Sequence, residues 1–171
     1  ATAPELAAGE TDLPAGVSDR YYNLTNGVVY PFGYGMSYSQ FEQKIVEGSE
    51  KTDGETISFQ VEVKNVGSMP GKDVVQAYYN PPYTDGGIEK ASANLAAFAK
   101  TKELAVNESQ VVTLSFDKRD MASYDYDNAN DDENGHTGYE LEAGIYEIAL
   151  KANSHEVIDS FEYDHKTRTD Y

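Results

Sequence analysis

Apolar and polar side chains alternate strictly along residues 57–64, which read ISFQVEVK. A period of two places every second side chain on the same face of an extended chain, so one face of this segment is apolar and the other is polar. The pattern predicts a half-buried antiparallel strand, whose inward residues are Ile57, Phe59, Val61 and Val63.

The same strand pattern returns further along the chain. It covers residues 73–79, 112–116 and 146–150, and a last strand is marked by Val157, Ile158 and Phe161. Residues 95–104 contain alanines that suit a short helix, but a strand fits the spacing of the neighbouring strands better. About seven short strands separated by turns predict an all-β antiparallel sandwich.

Residues 141–146, LEAGIY, have the spacing of a tyrosine corner. In that motif a tyrosine hydroxyl near the start of a strand donates a hydrogen bond to the backbone a few residues upstream and fixes the crossover between two sheets. We therefore expect the hydroxyl of Tyr146 to bond to the backbone that precedes it.

The N-terminal part has a different composition. Residues 1–27 are rich in Ala, Gly, Pro, Asp and Glu without a sustained period, which indicates an extended arm or linker. Residues 30–38, YPFGYGMSY, then interleave aromatic side chains with glycines. Glycine permits tight turns and a close approach of the backbone to other groups, so this is an unusual sequence for a free loop.

The charge of the chain limits its partners. The 13 Lys and Arg are outnumbered by 30 Asp and Glu, and the formal net charge of -17 repels phosphate backbones and anionic membrane surfaces. Nucleic acid and membranes are therefore not expected partners, whereas neutral carbohydrate is compatible with this charge. The absence of Cys excludes disulfides and thiol nucleophiles. We expect a soluble protein, and both a cytoplasmic and a secreted location stay open.

Several segments resemble, in order, those of one known family. YPFGYGMSY at residues 30–38 resembles the YPFGYGLSY signature that leads into the C-terminal-type domain of family 3 glycoside hydrolases. VEVKNVG at 61–67 and GKDVVQAY at 71–78 are similar to the VxVxNxG and GxxVVQxY pair of that domain. DKRDMASYD at 117–125 and EAGIYE at 142–147 resemble its last two motifs.

The resemblance implies an immunoglobulin/fibronectin type III-like antiparallel β-sandwich with an extended N-terminal arm. Residues 1–38 are then an extended arm or the end of a preceding α/β sandwich domain, residues 39–165 form the β-sandwich, and residues 166–171 are a tail or linker. In the family, the catalytic nucleophile is an Asp on a (β/α)8 barrel and the acid/base usually lies on the α/β sandwich domain. We find neither of these domains in this sequence.

We therefore expect a non-catalytic accessory domain of a β-glucosidase-type enzyme, which stabilises and spaces the catalytic domains. The expected partners are the barrel and the α/β sandwich domain, and no cofactor is expected. Burial against those domains, rather than contact with a ligand, is the expected role of the aromatic side chains Tyr30, Phe32, Tyr34 and Tyr38.

No residue is predicted to be catalytic. Glycoside hydrolysis needs two carboxyl groups about 5 Å or roughly 6.5–9.5 Å apart with divergent pKa values, and an excess of acids alone does not indicate such a pair. Asp117, Asp120 and Asp125 are interpreted as turn and cap residues. The histidines have neither a GxSxG partner nor metal-site spacing and are interpreted as surface residues: His136, His155 and His165.

The stretch from Tyr124 to Gly138 is acidic and is predicted to be a solvated loop. A calcium site is the alternative, since Ca2+ binds six to eight oxygens from flexible loops. The candidate ligands are Asp125, Asp127 and Asp131. Residues 125–136 depart from the EF-hand pattern because Ala129 and His136 stand where ligands are needed.

Two tyrosines near Pro81 and Pro82 are candidates for a carbohydrate platform, because sugar C–H faces stack on aromatic rings. These residues are Tyr79 and Tyr83. Interdomain packing or a core position is the favoured interpretation of this cluster. The alternative function is therefore an autonomous carbohydrate- or polymer-binding β-sandwich module, since this fold hosts many binding proteins.

Overall fold

The computed structural model describes residues 30–126, 128 and 136–171. A short 3-10 helix, Lys118–Met121, lies between the fifth and sixth strands. The strands are β1 Phe41–Ile45, β2 Thr56–Asn65, β3 Val74–Asn80, β4 Asn94–Lys100, β5 Ser109–Asp117, β6 Ser123–Asp125, β7 Gly138–Leu141, β8 Gly144–Lys151, β9 Val157–His165 and β10 Thr169–Asp170.

These strands form three antiparallel sheets. One has the order β1-β2-β5, the second has the order β4-β3-β8-β9, and a small third sheet has the order β10-β7-β6. Inward side chains of the first two sheets share one hydrophobic core. The predicted all-β antiparallel sandwich is thus confirmed.

The alternating pattern of β2 defines the core. Its four predicted inward residues have exposed fractions of 1 % or less. They pack with the inward residues of β5 and with Val75 and Ala77 of β3. The ring of Phe59 meets that of Phe161 of β9 edge to face, with centroids 5.2 Å apart. Sheet-on-sheet packing therefore follows from the period of two in the sequence.

Residues 95–104 suited either a short helix or a strand by sequence, and most of this segment lies in strand β4. β4 pairs with β3 along its length, with a register shift between Ala77 and Tyr78. Leu104, beyond the end of this strand, is fully buried and forms an isolated bridge with Gly71. The three alanines of β4 are half-buried, and all of them pack against the core.

The tyrosine corner is confirmed. The hydroxyl of Tyr146 donates a hydrogen bond of 3.0 Å to the carbonyl oxygen of Glu142. Burial, more than the neighbouring Tyr79, Tyr163 and Glu140, raises the pKa of Tyr146 far above its ordinary value, so the hydroxyl keeps its proton. The bond ties the β7–β8 turn to the start of β8.

The predicted solvated loop between Tyr124 and Gly138 was wrong at both ends. Tyr124 and Asp125 belong to β6, and Gly138 begins β7, with Tyr124 directly opposite Tyr139. The side chains of Asp125 and Glu140 are almost completely buried. These strands have only three and four residues, so the alternation of apolar and polar side chains is too brief to reveal them in the sequence.

His165, interpreted from the sequence as a surface residue, lies partly exposed beside Tyr163 and Thr169. Its ring is half-buried, its Nδ1 lies 2.8 Å from the hydroxyl of Tyr163, and its Nε2 lies 3.3 Å from the hydroxyl of Thr169. Thr169 and Asp170, within the segment predicted as a tail or linker, pair with β7 as strand β10. The domain boundaries themselves stay a prediction.

The described part of the chain contains no helix with the length and apolarity that a span requires.

Candidate functional site

The principal surface feature is the aromatic segment, defined as residues 30–38. Its five large apolar side chains have exposed fractions between 48 % and 98 %. They are Tyr30, Phe32, Tyr34, Met36 and Tyr38. The rings of Tyr30 and Tyr34 lie 5.1 Å apart, across a turn in which the backbone N–H of Tyr34 bonds to the carbonyl of Pro31. The segment therefore presents apolar side chains outward from the sandwich.

The first half of the aromatic segment is fixed to the outer face of the four-stranded sheet at Gly33. The side-chain Nε2 of Gln76 donates a hydrogen bond of 3.0 Å to the carbonyl of Gly33, and the hydroxyl of Tyr78 donates to Oε1 of Gln76 at 3.0 Å. The backbone N–H of Ser154 also donates to the carbonyl of Phe32 at 2.8 Å. The side chain of Tyr78 is 1 % exposed, so this attachment is backed by a buried ring.

A glycine is required at this contact. Gly33 has a φ of +81°, and a Cβ added there would lie 2.6 Å from the hydroxyl of Tyr78 and closer still to Gln76 Oε1. Residues with a side chain rarely adopt this backbone conformation, which explains why the first glycine position of the motif is occupied by glycine. At Gly35, no atom of the described residues other than its two chain neighbours lies within 4 Å of the corresponding position.

Asn65, at the end of β2, fixes Ser39, the residue that directly follows the aromatic segment. Its Oδ1 accepts bonds from Ser39 Oγ at 2.8 Å and from the backbone N–H of Gly67 at 3.0 Å. Its Nδ2 donates to the carbonyls of Met69 at 2.8 Å and Leu104 at 2.9 Å. The buried amide of Asn65 is thus fully paired, and it joins the end of the aromatic segment to two loops.

Gly67 completes this anchor by close approach. A Cβ there would lie 2.5 Å from the backbone nitrogen of Gln40, and closer to the hydroxyl of Ser39. The backbone N–H groups of Val66 and Gly67 both donate to the carbonyl of Gln40. The Asn and Gly of the VxVxNxG motif therefore serve the attachment of the aromatic segment.

A groove of about 660 Å3 separates part of the aromatic segment from the sheet. It is open to solvent, and two lysines, Lys72 and Lys100, are among the residues that line it. Its apolar lining includes Met36, Phe41, Leu95, Phe98 and Ile158. Phe98 is 70 % exposed, so the apolar surface extends from the aromatic segment onto the edge strand β4.

The two carbohydrate candidates have different surroundings. Tyr79 is half-buried, packs against the core, and donates a hydrogen bond of 3.2 Å to the carbonyl of Asp120. Burial, and then the charge of Asp120, raises the pKa of Tyr79. Tyr83 is exposed, and its hydroxyl lies 3.3 Å from Oε1 of Glu89. A carbohydrate site at these two residues stays a prediction.

Of the calcium candidates, only Asp125 lies within the described residues, at the end of β6, where it is fully buried. Asp127 and Asp131 lie outside the described residues. Within residues 30–126, 128 and 136–171, no group of three or more metal-binding side chains is arranged to hold an ion. The calcium hypothesis stays untested for the complete loop.

Sequence reasoning identified the aromatic segment but missed the side chains that hold it. Ser39, Asn65 and Gln76 come from different parts of the chain. The two residues of the Ser39–Asn65 bond, for example, are 26 positions apart. The sequence offered one indication of these anchors, namely a polar residue inside each of two motifs. These residues are Asn65 of VEVKNVG and Gln76 of GKDVVQAY. Their partners become visible only in the folded structure.

Comparison with known proteins gives the context of this surface. The family model described as "Fibronectin type III-like domain" matches residues 73–154. A β-glucosidase of Ruminococcus albus is 46 % identical over 111 residues, and the match covers 64 % of this chain and 11 % of that protein. The chain contains a fibronectin type III-like domain of the kind found in family 3 β-glucosidases.

Solved structures support the same assignment of this fibronectin type III-like domain. β-Glucosidase 3B from Thermotoga neapolitana has a TM-score of 0.72 and 33 % identity, covering 89 % of this chain and 19 % of that one. A β-glucosidase from Paenibacillus barengoltzii has a TM-score of 0.72 and 36 % identity, covering 84 % of this chain and 16 % of that one. The chain thus spans less than a fifth of the length of each relative described here.

Proposed function

We propose that this chain is a non-catalytic accessory domain of a family 3 β-glucosidase-type glycoside hydrolase, in which it stabilises and spaces the catalytic domains. The aromatic segment is the surface that docks onto those domains. The single observation that carries the proposal is that this segment is fixed at Gly33 and, directly after Tyr38, at Ser39, while its large apolar side chains remain exposed.

The amount of exposed apolar surface supports docking. Large aromatic side chains bury about 150–250 Å2 each when they are covered, so four rings and Met36 correspond to several hundred Å2. Contiguous apolar patches larger than a few hundred Å2 are uncommon on monomeric soluble proteins and mark interaction sites. The lining of the groove, including Phe98, enlarges this surface.

The fixed backbone supports a role in spacing. Binding by a surface that is already ordered avoids much of the entropy cost of ordering a loop. The bonds at Gly33 and Ser39 hold the aromatic segment against the sheet before any partner is present. A partner domain that packs on this segment therefore takes a defined position relative to the sandwich.

Substitution of exposed residues in the segment tests the proposal. Phe32→Ser combined with Tyr38→Ser removes two exposed rings without touching the anchors. We expect the double variant to leave the unfolding temperature of the isolated chain nearly unchanged. In the longer native protein that contains this chain, we expect the same variant to lower the unfolding temperature and the β-glucosidase activity.

Val111→Ser is the matched control, because Val111 is 51 % exposed on the outer face of the three-stranded sheet. This control is expected to change neither the isolated chain nor the longer protein. An unchanged longer protein in the Phe32→Ser, Tyr38→Ser variant would contradict docking through this surface. Hydrolysis of an aryl glucoside by the purified chain alone would contradict its non-catalytic role.

A further inference from the structure

A second exposed aromatic feature lies on the small sheet, at residues outside the aromatic segment. Tyr124 of β6 and Tyr139 of β7 are directly opposite each other in the register of the two strands. Their ring centroids are 5.2 Å apart with an interplanar angle of 73°, an edge-to-face arrangement. The side chains are 57 % and 54 % exposed, respectively. Two neighbouring rings therefore face solvent together, and we call them the ring pair.

The ring pair has a rigid base. Side chains alternate across a strand, so Asp125 and Glu140 point to the opposite side, where both are almost completely buried. Arg168 Nε lies 3.0 Å from Glu140 Oε2, and the backbone N–H of Tyr171 donates to the carbonyl of Tyr139 at 2.9 Å. The Glu140–Arg168 ion pair and the backbone bond from Tyr171 thus hold the strand that carries Tyr139 in place.

The size of the exposed surface favours a small ligand. Tyr126, two residues beyond Tyr124, is 74 % exposed and adds a third ring. At about 150–250 Å2 for a whole side chain, three partly exposed tyrosines offer about 300–400 Å2. A stable protein interface buries about 800 Å2 on each partner. The three rings alone cover about half of that area or less, an extent that suits a few sugar rings.

The charge of the protein favours a neutral ligand. A net charge of -17 repels nucleic acids, anionic polysaccharides and anionic lipids. Tyrosine combines a ring face, on which C–H groups pack, with a hydroxyl that exchanges hydrogen bonds with other hydroxyls. Both properties match the two kinds of surface that a neutral pyranose presents.

We propose that the ring pair of Tyr124 and Tyr139, extended by Tyr126, is a binding site for neutral oligosaccharide chains. The sugar rings stack on the exposed faces of the tyrosines, and the buried base keeps these faces oriented. The site shares no residue with the aromatic segment, so the proposal stands or fails independently of the docking function.

Affinity electrophoresis of the intact chain tests this proposal. The gels contain laminarin, hydroxyethylcellulose, xyloglucan or galactomannan, and the variants are Tyr124→Ala, Tyr139→Ala and the corresponding Phe substitutions. We expect retardation by at least one polysaccharide and an affinity about tenfold weaker in each Ala variant, equivalent to about 1.4 kcal/mol. The Phe variants keep the ring faces and are expected to retain most of the affinity.

Tyr30→Ala is the matched control, since Tyr30 is an exposed tyrosine of the aromatic segment, and it is expected to bind like the unchanged chain. Thermal unfolding of every variant shows whether the fold is intact. Retardation by none of the four polysaccharides overturns the proposal, and so does equal retardation of the Tyr124→Ala, Tyr139→Ala double variant. Loss of retardation in Tyr83→Ala, with both Ala variants of the ring pair unaffected, places binding elsewhere and also overturns it.

Analytical ultracentrifugation of the same proteins tests whether a second copy of the chain, rather than a saccharide, covers the ring pair. We expect Tyr139→Ala to leave the association state unchanged. A dimer that dissociates on this substitution would show that a second copy covers the ring pair, and would overturn the saccharide proposal.

Discussion

Gln76 holds Gly33 against the outer face of the four-stranded sheet, with its Nε2 3.0 Å from the glycine carbonyl. The two residues are 43 positions apart, and each belongs to a different motif of the sequence. Tyr78 supports the contact by donating to Oε1 of Gln76. The YPFGYGMSY and GKDVVQAY motifs are therefore two parts of one attachment, which sets the position of the exposed rings.

Gly33→Ala is expected to destabilise the chain by about 1–3 kcal/mol, the cost of placing a residue with a Cβ at a positive φ in a crowded position. The added Cβ collides with the Gln76 side chain and the hydroxyl of Tyr78. Urea unfolding measures the change. Gly35→Ala is the matched control and is expected to have little effect, because among the described residues only its chain neighbours come within 4 Å of its Cβ position. Equal effects of the two substitutions would contradict the attachment at Gly33.

Asn65→Ala is expected to cost about 3 kcal/mol of unfolding free energy, because it leaves several buried groups without hydrogen bonds. These groups include the hydroxyl of Ser39 and the carbonyl of Leu104. Asn94→Ala, which removes a single exposed bond to the carbonyl of Ala91, is the control with a small expected effect. A loss below about 1 kcal/mol for Asn65→Ala would show that water replaces these bonds.

Tyr146→Phe removes the hydroxyl of the tyrosine corner while keeping the buried ring. We expect a loss of about 1 kcal/mol, the net value of one hydrogen bond, measured by chemical unfolding. Tyr139→Phe removes a hydroxyl from a ring that is 54 % exposed and is expected to have almost no effect on stability. If both variants were equally stable, the bond to Glu142 would have no energetic role.

The pH dependence of stability is expected to include a contribution from His165. Burial, and then the charge of Lys118, lowers the pKa of His165 from its ordinary value of 6.5. The unfolded chain therefore binds a proton at a pH at which the folded chain does not, and the folded state loses stability as the pH falls below about 6.5. The loss ends at the lower pKa of the folded protein.

The variant His165→Gln isolates this contribution, since the many carboxylates act equally in both proteins. Urea unfolding at a series of pH values is expected to give a constant difference between the two proteins above about pH 6.5. Below that pH, the original chain is expected to lose stability relative to the variant. Parallel curves throughout would mean that His165 has the same pKa in both states.

Much of the sandwich was predictable because its long strands bury one face. In β2 the apolar side chains repeat every second residue from Ile57 to Val63, and this alone assigns both the strand and its inward face. The short strands β6, β7 and β10 were not predictable. Two to four residues carry too little periodicity, and the strongly acidic composition around Asp125 suggested a solvated loop.

The anchors of the aromatic segment illustrate the same limit. The sequence indicated that YPFGYGMSY was not a free loop, and the spacing of Leu141 and Tyr146 indicated the tyrosine corner. Nothing local in the sequence could pair Ser39 with Asn65, because that contact depends on the fold of the intervening strands. Buried polar networks of this kind are defined by tertiary structure, whereas strand faces are defined by the local pattern.

Oxidative footprinting of methionine provides the most direct test of docking through the aromatic segment. The chain has three methionines. Met36 of the segment is 85 % exposed, Met69 is 54 % exposed in a loop after β2, and Met121 is 1 % exposed. The two residues outside the segment serve as internal references for exposed and buried positions.

The measurement compares oxidation of each methionine in the isolated chain and in the longer protein of the proposal, in which the chain is joined to catalytic domains. If a domain covers the aromatic segment, Met36 is oxidised rapidly in the isolated chain and is strongly protected in the longer protein. Met121 is expected to be protected in both, and Met69 serves to normalise the exposure to oxidant. Equally rapid oxidation of Met36 in the two proteins would show that no domain covers the aromatic segment, and would contradict the docking function.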